Sequence, residues 1–338
     1  MQELQTAKSR VFLVRLMSSS ALRTEEVSLR DALPADHDAL QSLDGEAPDA
    51  GAALIQARRN FFARPAAYSR CRTYVAEQDG QIVGMNCVAL TPVRVAGRPC
   101  SAGYSFNTRV AASMRGRGLG SLLMRAGADW VESQGAPYLT GFIGVNNVAS
   151  MAMVTSLGWE PIARFDYLVL DLHRFAPDPE VKIRKVDVLG DPAHAAWRFG
   201  EVFLHHFVPR YLVSDLFRPY PKGPYMGSLT AFGPGGSAWL SLWDDRVRRG
   251  LDPVRIRAVK AYDVTLKGVG GFRAFSAIAA TLCGMDLDHL LLPLPHDTTA
   301  RALLEPFASD IVEFNFCVKR LNGAPPVPPG PVYFDIRH

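Results

Sequence analysis

The stretch that most constrains this 338-residue chain is Arg115-Gly116-Arg117-Gly118-Leu119-Gly120-Ser121. It stands between an extended run ending at Val110 and a segment whose apolar residues, Leu119, Leu123, Ala126 and Trp130, recur at helical spacing. A strand that turns through glycines into an amphipathic helix leaves unpaired N–H groups at the helix start. Glycine lets that backbone approach a ligand with no Cβ in the way. The helix start adds roughly half a unit of positive charge, and Arg115 and Arg117 add more. The segment therefore predicts a diphosphate site. It is not a P-loop, which needs Gly-Lys-Ser or Gly-Lys-Thr, nor a Rossmann turn, which would follow the first strand rather than the fourth.

The surrounding pattern alternates short elements. Val27–Leu33 reads as a strand, followed by a helix with His37, Leu40 and Leu43, and by a second helical stretch over 52–68 containing Phe61 and Phe62. Three antiparallel strands, 72–77, 81–95 and 100–110, are joined by turns at Gln78-Asp79-Gly80 and Ala96-Gly97-Arg98-Pro99. After the helix over 119–135 come an almost unbroken apolar strand over 138–145, a helix with Ala149, Met153 and Leu157, and a strand over 159–172. Ala176-Pro177-Asp178-Pro179-Glu180 reads as a linker. Beyond it the order recurs: strand 181–184, helix 193–204, strands 238–243 and 254–266, helix 272–282, strand 287–294, helix 299–307, strands 311–321 and 332–336. The aromatic- and proline-rich residues 207–225 are left as an irregular, substrate-facing loop. The expected organisation is an N-terminal extension over 1–26, a first domain over 27–175 and a second over 181–338.

Composition excludes several classes. The net charge of +4 comes without a basic run or aromatic-basic stripe, so no nucleic-acid groove is expected. Five scattered cysteines, Cys71, Cys87, Cys100, Cys283 and Cys317, form no Cys-x-x-Cys pair, so neither a zinc site nor a disulfide framework is expected. No run approaches the roughly 20 apolar residues that cross a bilayer. The expectation is a cytoplasmic protein, metal-free, monomeric or homodimeric.

With the whole pattern on the page, residues 27–172 resemble the GNAT (GCN5-related N-acetyltransferase) superfamily. Arg115, Gly118 and Gly120 match its signature of Arg or Gln, two residues, Gly, one residue, Gly or Ala. Asn147, Ser150, Met153, Gly158 and Trp159 fall on its downstream pattern. The resemblance implies an α/β (α+β) fold in two GNAT-like domains, each a mixed, mostly antiparallel twisted sheet flanked by helices. The second half resembles a degenerate copy. The resemblance also implies acetyl-CoA as co-substrate and acyl transfer to a primary amine of a small molecule. Its pyrophosphate would be held by Arg115, Gly116, Arg117, Gly118, Leu119, Gly120 and Ser121, and its pantetheine arm by Arg109, Val110 and Asn147. Alternatives are a GNAT-like acyl-CoA decarboxylase or S-acyltransferase, or a non-catalytic acyl-CoA sensor.

The catalytic groups are thinner. Where many members of the superfamily carry a tyrosine that protonates the leaving thiolate, this chain has Val154, and 101–107 holds neither acid nor imidazole. Tyr104 is the remaining titratable candidate. Strict alternation puts Tyr104, Phe106, Thr108 and Val110 on one face of the strand. A phenol suits a general acid better than a base. The C-terminal carboxylate of His338 is a further candidate base, while Cys87, His173 and His205-His206 are read mainly as structural. The second-half turn, Leu266-Lys267-Gly268-Val269-Gly270-Gly271, lacks the arginine register, so no second CoA site is expected.

Overall fold

The computed structural model describes residues 12–17, 24–45, 61–96, 98–186, 207–208, 225–243, 257–330 and 332. The helix expected over 193–204, most of 207–225, His205-His206 and the C-terminal residues 333–338 lie outside the described residues.

The chain opens with β1 (Phe12–Met17), β2 (Thr24–Asp31) and α1 (His37–Gly45). Part of the expected N-terminal extension is thus a strand, antiparallel to β2. Phe61–Ala63 and Pro65–Ala67 are short 3-10 turns, as suits a proline that cannot sit inside a helix. Then come β3 (Cys71–Gln78), β4 (Gln81–Val95), β5 (Arg98–Val110), α2 (Leu119–Ser133), β6 (Tyr138–Gly144), α3 (Val148–Ser156) and β7 (Trp159–Asp171). The second half gives β8 (Lys182–Val186), β9 (Phe207–Val208), β10 (Tyr225–Gly233), β11 (Gly236–Trp243), β12 (Ala258–Lys267), α4 (Gly271–Cys283), β13 (His289–Pro295), α5 (Thr299–Leu304) and β14 (Ala308–Arg320). The strand β10 has no counterpart in the sequence reading, which placed its first residue in the aromatic loop.

The mostly antiparallel sheet flanked by helices is as expected, but it is continuous across both halves, in the order β1-β2-β3-β4-β5-β6-β14-β7-β13-β12-β11-β10-β8, with β9 on β4. The last strand of each half lies beside the penultimate strand of the other: β14 pairs β6, and β7 pairs β13. At the centre β14 and β7 pair antiparallel with Phe314 opposite Phe165. Those two phenylalanines mark a pseudo-twofold axis, since Phe314 also faces Gly144, the end of β6, and Phe165 faces Pro295, the end of β13.

The sheet separates two layers in the first half. Leu40, Leu43 and Phe61 pack with Tyr104, Phe106, Phe165 and Phe316 on the α1 face. Met124, Ala128 and Val131 of α2 pack with Val88, Leu139 and Trp159 on the other. Helix α4 buries Ala274, Phe275, Ile278 and Leu282 against the second-half strands. No helix among the described residues is long and apolar enough to cross a membrane.

Candidate active site

The site is built by two strands that part. β5 and β6 run parallel and pair only over Ala102–Ser105 with Tyr138–Gly141. Beyond Ser105 the edge of β5 leading to Val110 therefore has no strand on its β6 side among the described residues. Here β5 also holds one residue more than β4: the register steps from Cys87↔Phe106 to Met85↔Arg109, and Asn107 has φ 53°. That is a β-bulge, the device that re-aims side chains and ends pairing next to functional sites.

The bulge overturns the expected alternation. Tyr104 and Phe106 stay on the α1 face, and Arg109 follows them, 3.6 Å from Asp44 of α1. Thr108 and Val110 turn to the α2 face, where the Thr108 hydroxyl donates to Asn86 and Val110 packs beside Leu119 and Met114. Tyr104 and Val110 thus lie on opposite faces, because one inserted residue reverses the order of the pleat.

The phosphate turn has the geometry its sequence suggests. Gly118 is the residue before α2, with φ 81°, a conformation open to glycine at little cost. The first backbone bond of the helix runs from Leu122 N–H to Gly118 O at 3.1 Å, so the N–H groups of Leu119, Gly120 and Ser121 precede the helical ladder. A Cβ on Gly116 or Gly118 would meet nothing within 4 Å, whereas one on Gly120 would come 2.9 Å from Met153 Sδ of α3. The first two glycines thus border open space and the third lets two helices touch. Arg115 donates through Nε to Val110 O at 3.1 Å, tying the turn to the free strand edge. Arg117 is half-buried in the turn. Asn147 caps α3, its Oδ1 accepting from Ser150 N–H at 3.1 Å.

The second-half turn is different. Gly270 N–H already donates to Gly235 O at 3.1 Å, and a Cβ on Gly270 would lie 2.1 Å from Pro234 O. The β10–β11 hairpin fills the space that stays open beside Gly116 and Gly118, and close backbone approach is what those glycines serve.

Of the remaining candidates, Val154 is buried in the α2–α3 core with Trp159 and Leu139. His173 is exposed and bonds Asp288 at 2.9 Å, on the surface where the two halves meet. Cys87 is fully buried, its Sγ 3.4 Å from Thr73 Oγ1. His338 lies outside the described residues.

Two residues matter that the sequence reading passed over. Asn86, fully buried, donates to Leu123 O at 3.2 Å and accepts from Ser105 at 2.9 Å and Thr108 at 3.0 Å, fastening the bulge to α2. Its one signal was an amide inside an apolar strand. Arg64, beside Pro65, donates to Tyr104 Oη and to Asn107 Oδ1, each at 2.9 Å. Nothing local in the sequence marked it.

An anion-receptive helix start thus lies beside a parted, bulged strand pair. Residues 38–159 match the model of the acetyltransferase (GNAT) family. Among solved structures, a GCN5-related N-acetyltransferase from Sphaerobacter thermophilus is similar at 15% identity, covering 91% of this chain and 98% of that one with a TM-score of 0.55. A GCN5-related glucosamine N-acetyltransferase region of a fungal multi-domain GH3 β-N-acetylglucosaminidase is similar at 14% identity, covering 88% and 39% with a TM-score of 0.58. A putative acetyltransferase from Pyrococcus horikoshii is similar at 12% identity, covering 94% and 98% with a TM-score of 0.52. At such identities the likeness is one of fold. No curated protein matches the sequence.

Proposed function

We propose that the chain transfers an acyl group, acetyl in the first instance, from acyl-CoA to a primary amine of a small molecule, directly and within a ternary complex. The observation that carries this reading is the open start of α2 beside the unpaired edge of β5. In it, N–H groups of 116–121, with Arg115 and Arg117, hold the pyrophosphate. The pantetheine arm lies along the free edge of β5 near Arg109 and Val110, and a backbone N–H of that edge polarises the thioester carbonyl. Asn147 fixes the start of α3 beside it.

The amine approaches from the α1 face, where Tyr104 stands. Its nitrogen adds to the carbonyl carbon, the C–S bond breaks, and the amine's lost proton leaves to solvent. Tyr104 supplies a proton to the departing thiolate and is restored from solvent. The filled second-half turn supports one CoA site per chain.

Calorimetry with acetyl-CoA tests the reading. One site per chain is expected, with binding nearly abolished in Gly118→Glu, which strains a positive-φ position and adds a carboxylate where phosphate would sit. Free-thiol release across a panel of amines, with malonyl-CoA in parallel, tests the chemistry. Unchanged affinity in Gly118→Glu refutes the phosphate assignment, and CoA binding with no thiol release under any pairing favours a sensor.

A further inference from the structure

Among the described residues Arg64 makes no ion pair. The acid whose field reaches it is Asp44, and that carboxylate already lies 3.6 Å from Arg109. Two guanidinium groups thus share one carboxylate. The hydrogen-bond partners of Arg64 are uncharged: the Tyr104 phenol oxygen and the Asn107 amide oxygen.

The guanidinium is also drawn out of water. It lies 4.4 Å over the Phe106 ring centroid and 5.7 Å from that of Tyr104, and its Nε is buried with no hydrogen-bond partner. Tyr68 closes on Phe106 at 5.4 Å and Phe142 on Tyr104 at 6.4 Å, giving the cation an aromatic surround. Ring faces attract a cation but offset only part of the cost of desolvating it, and a buried donor left unmade is costly. A guanidinium has five N–H donors in a planar fork that matches a carboxylate. At Arg64 two donors are engaged by neutral acceptors and the Nε–H is idle.

Position supplies the rest. Arg64 grips Asn107, the bulge residue, and Tyr104, which lies inside the last paired stretch of β5, so its charge sits where the strands begin to part. On the proposed reading that is where the thioester and the amine meet.

We propose that Arg64 binds a carboxylate carried by one of the reactants, so that the site takes an acid-bearing substrate: an amino-acid-type acceptor or a dicarboxylic acyl-CoA. This rests on the acyl-CoA reading above. Arg64 closes a charge-assisted hydrogen bond with the carboxylate through its idle Nε–H, and the aromatic rings exclude water around it. A purely structural brace for the bulge would hold Tyr104 and Asn107 equally well whatever the charge of the substrate.

The test is calorimetry on the full-length protein, independent of turnover. In one arm the CoA-saturated protein is titrated with N-acetyl-phenylalanine, N-acetyl-leucine and N-acetyl-lysine and with their C-terminal amides. In the other, succinyl-CoA is compared with acetyl-CoA on the unliganded protein. The acid-bearing member of one arm is expected to bind about 10- to 100-fold tighter, the range of a charge-assisted hydrogen bond. Arg64→Met should erase that advantage while leaving CoA affinity within about threefold, since the pyrophosphate end is untouched. Arg64→Lys, which keeps the charge but not the fork, should retain a few-fold preference, and it serves if the methionine variant fails to fold. Equal binding of acid and neutral partners in both arms overturns the proposal, as does an advantage that survives in Arg64→Met. Absence of CoA binding itself would instead overturn the reading on which the proposal rests.

Discussion

Asn86 offers a quantitative check on how the site is held. Its amide joins α2, through Leu123 O, to the two hydroxyls that flank the bulge residue, Ser105 and Thr108. Asn86→Leu keeps the volume and strands both hydroxyls, whose remaining contact is Met124 Sδ at 3.4 Å from each. A buried polar group left unsatisfied costs about 1–3 kcal/mol, and with the thioether as a weak acceptor the two hydroxyls together should cost about 2–4 kcal/mol. Denaturant titration should show that loss as a lower midpoint at unchanged slope. A second variant separates stranded hydroxyls from lost anchoring: Asn86→Leu with Ser105→Ala and Thr108→Val removes the groups that have no partner. It should recover about half the stability, because replacing both sides of a hydrogen bond costs far less than removing one. Acetyl-CoA affinity should fall in both variants, since neither ties the bulge to α2. If Asn86→Leu unfolds within about 0.5 kcal/mol of wild type, the range of an ordinary surface change, the network is not what holds the bulge. If the triple variant is simply worse by the sum of its parts, the coupling argument fails too.

Other consequences are simpler. A protease site inserted at 176–180 and cut in the folded protein should leave the two pieces eluting together until denaturant is added, because β14 and β7 each lie in the other half's sheet; separation in native buffer would refute that. Gly270→Ala should destabilise by about 3 kcal/mol or more through overpacking, its Cβ falling 2.1 Å from Pro234 O. Gly116→Ala should cost only about 1–2 kcal/mol for its left-handed backbone, and denaturation midpoints that fail to rank the two this way would count against the contrast between the turns. Val154→Tyr should lower stability by about 1–3 kcal/mol and give no gain in thiol release, since position 154 is core. The hydrogen bond from Arg30 holds the Asp36 carboxyl below its ordinary range. That depressed pKa contributes stability at pH values above about 4, lost as pH falls further, so Arg30→Met should flatten the acid limb of a stability profile measured from about pH 5 to pH 2.

What the sequence could convey was what local chemistry decides. The phosphate turn reads as a glycine turn ahead of a helix because the glycines and the 4, 3, 4 spacing from Leu119 to Trp130 fall within one stretch. The bulge was hidden because alternation is a default that a single extra residue reverses, and the cause lies with Asn86 on the neighbouring strand as much as with Asn107 itself. Arg64 was hidden for the same reason: its partners, Tyr104 and Asn107, stand 40 and 43 residues away, and only the fold brings them to it. The aromatic composition before Tyr225 masked the start of β10, although the Pro234-Gly235 turn behind it is a hairpin signal.

The strand exchange was out of reach for a deeper reason. β7 and β14 each carry a buried run, Phe165–Leu170 and Phe316–Val318, and such a run is satisfied by any neighbour of the right polarity. Whether β7 lies beside β6 or beside β13 is decided by non-local terms, among them the central pairing of Phe165 with Phe314 and the carboxylate of Asp166. That carboxylate is fully buried and bonded to His296 of the loop after β13 and to Arg301 of α5. If β7 lay beside β6 instead, Asp166 would lose the Arg301 guanidinium and the His296 ring that the second half supplies and would be left buried without its charge partner, which costs several kcal/mol. The exchanged arrangement is thus favoured by a buried hydrogen-bonded cluster whose members stand 130 and 135 residues from Asp166. The same cluster ties the second half to the first, whether or not the second half binds a ligand of its own.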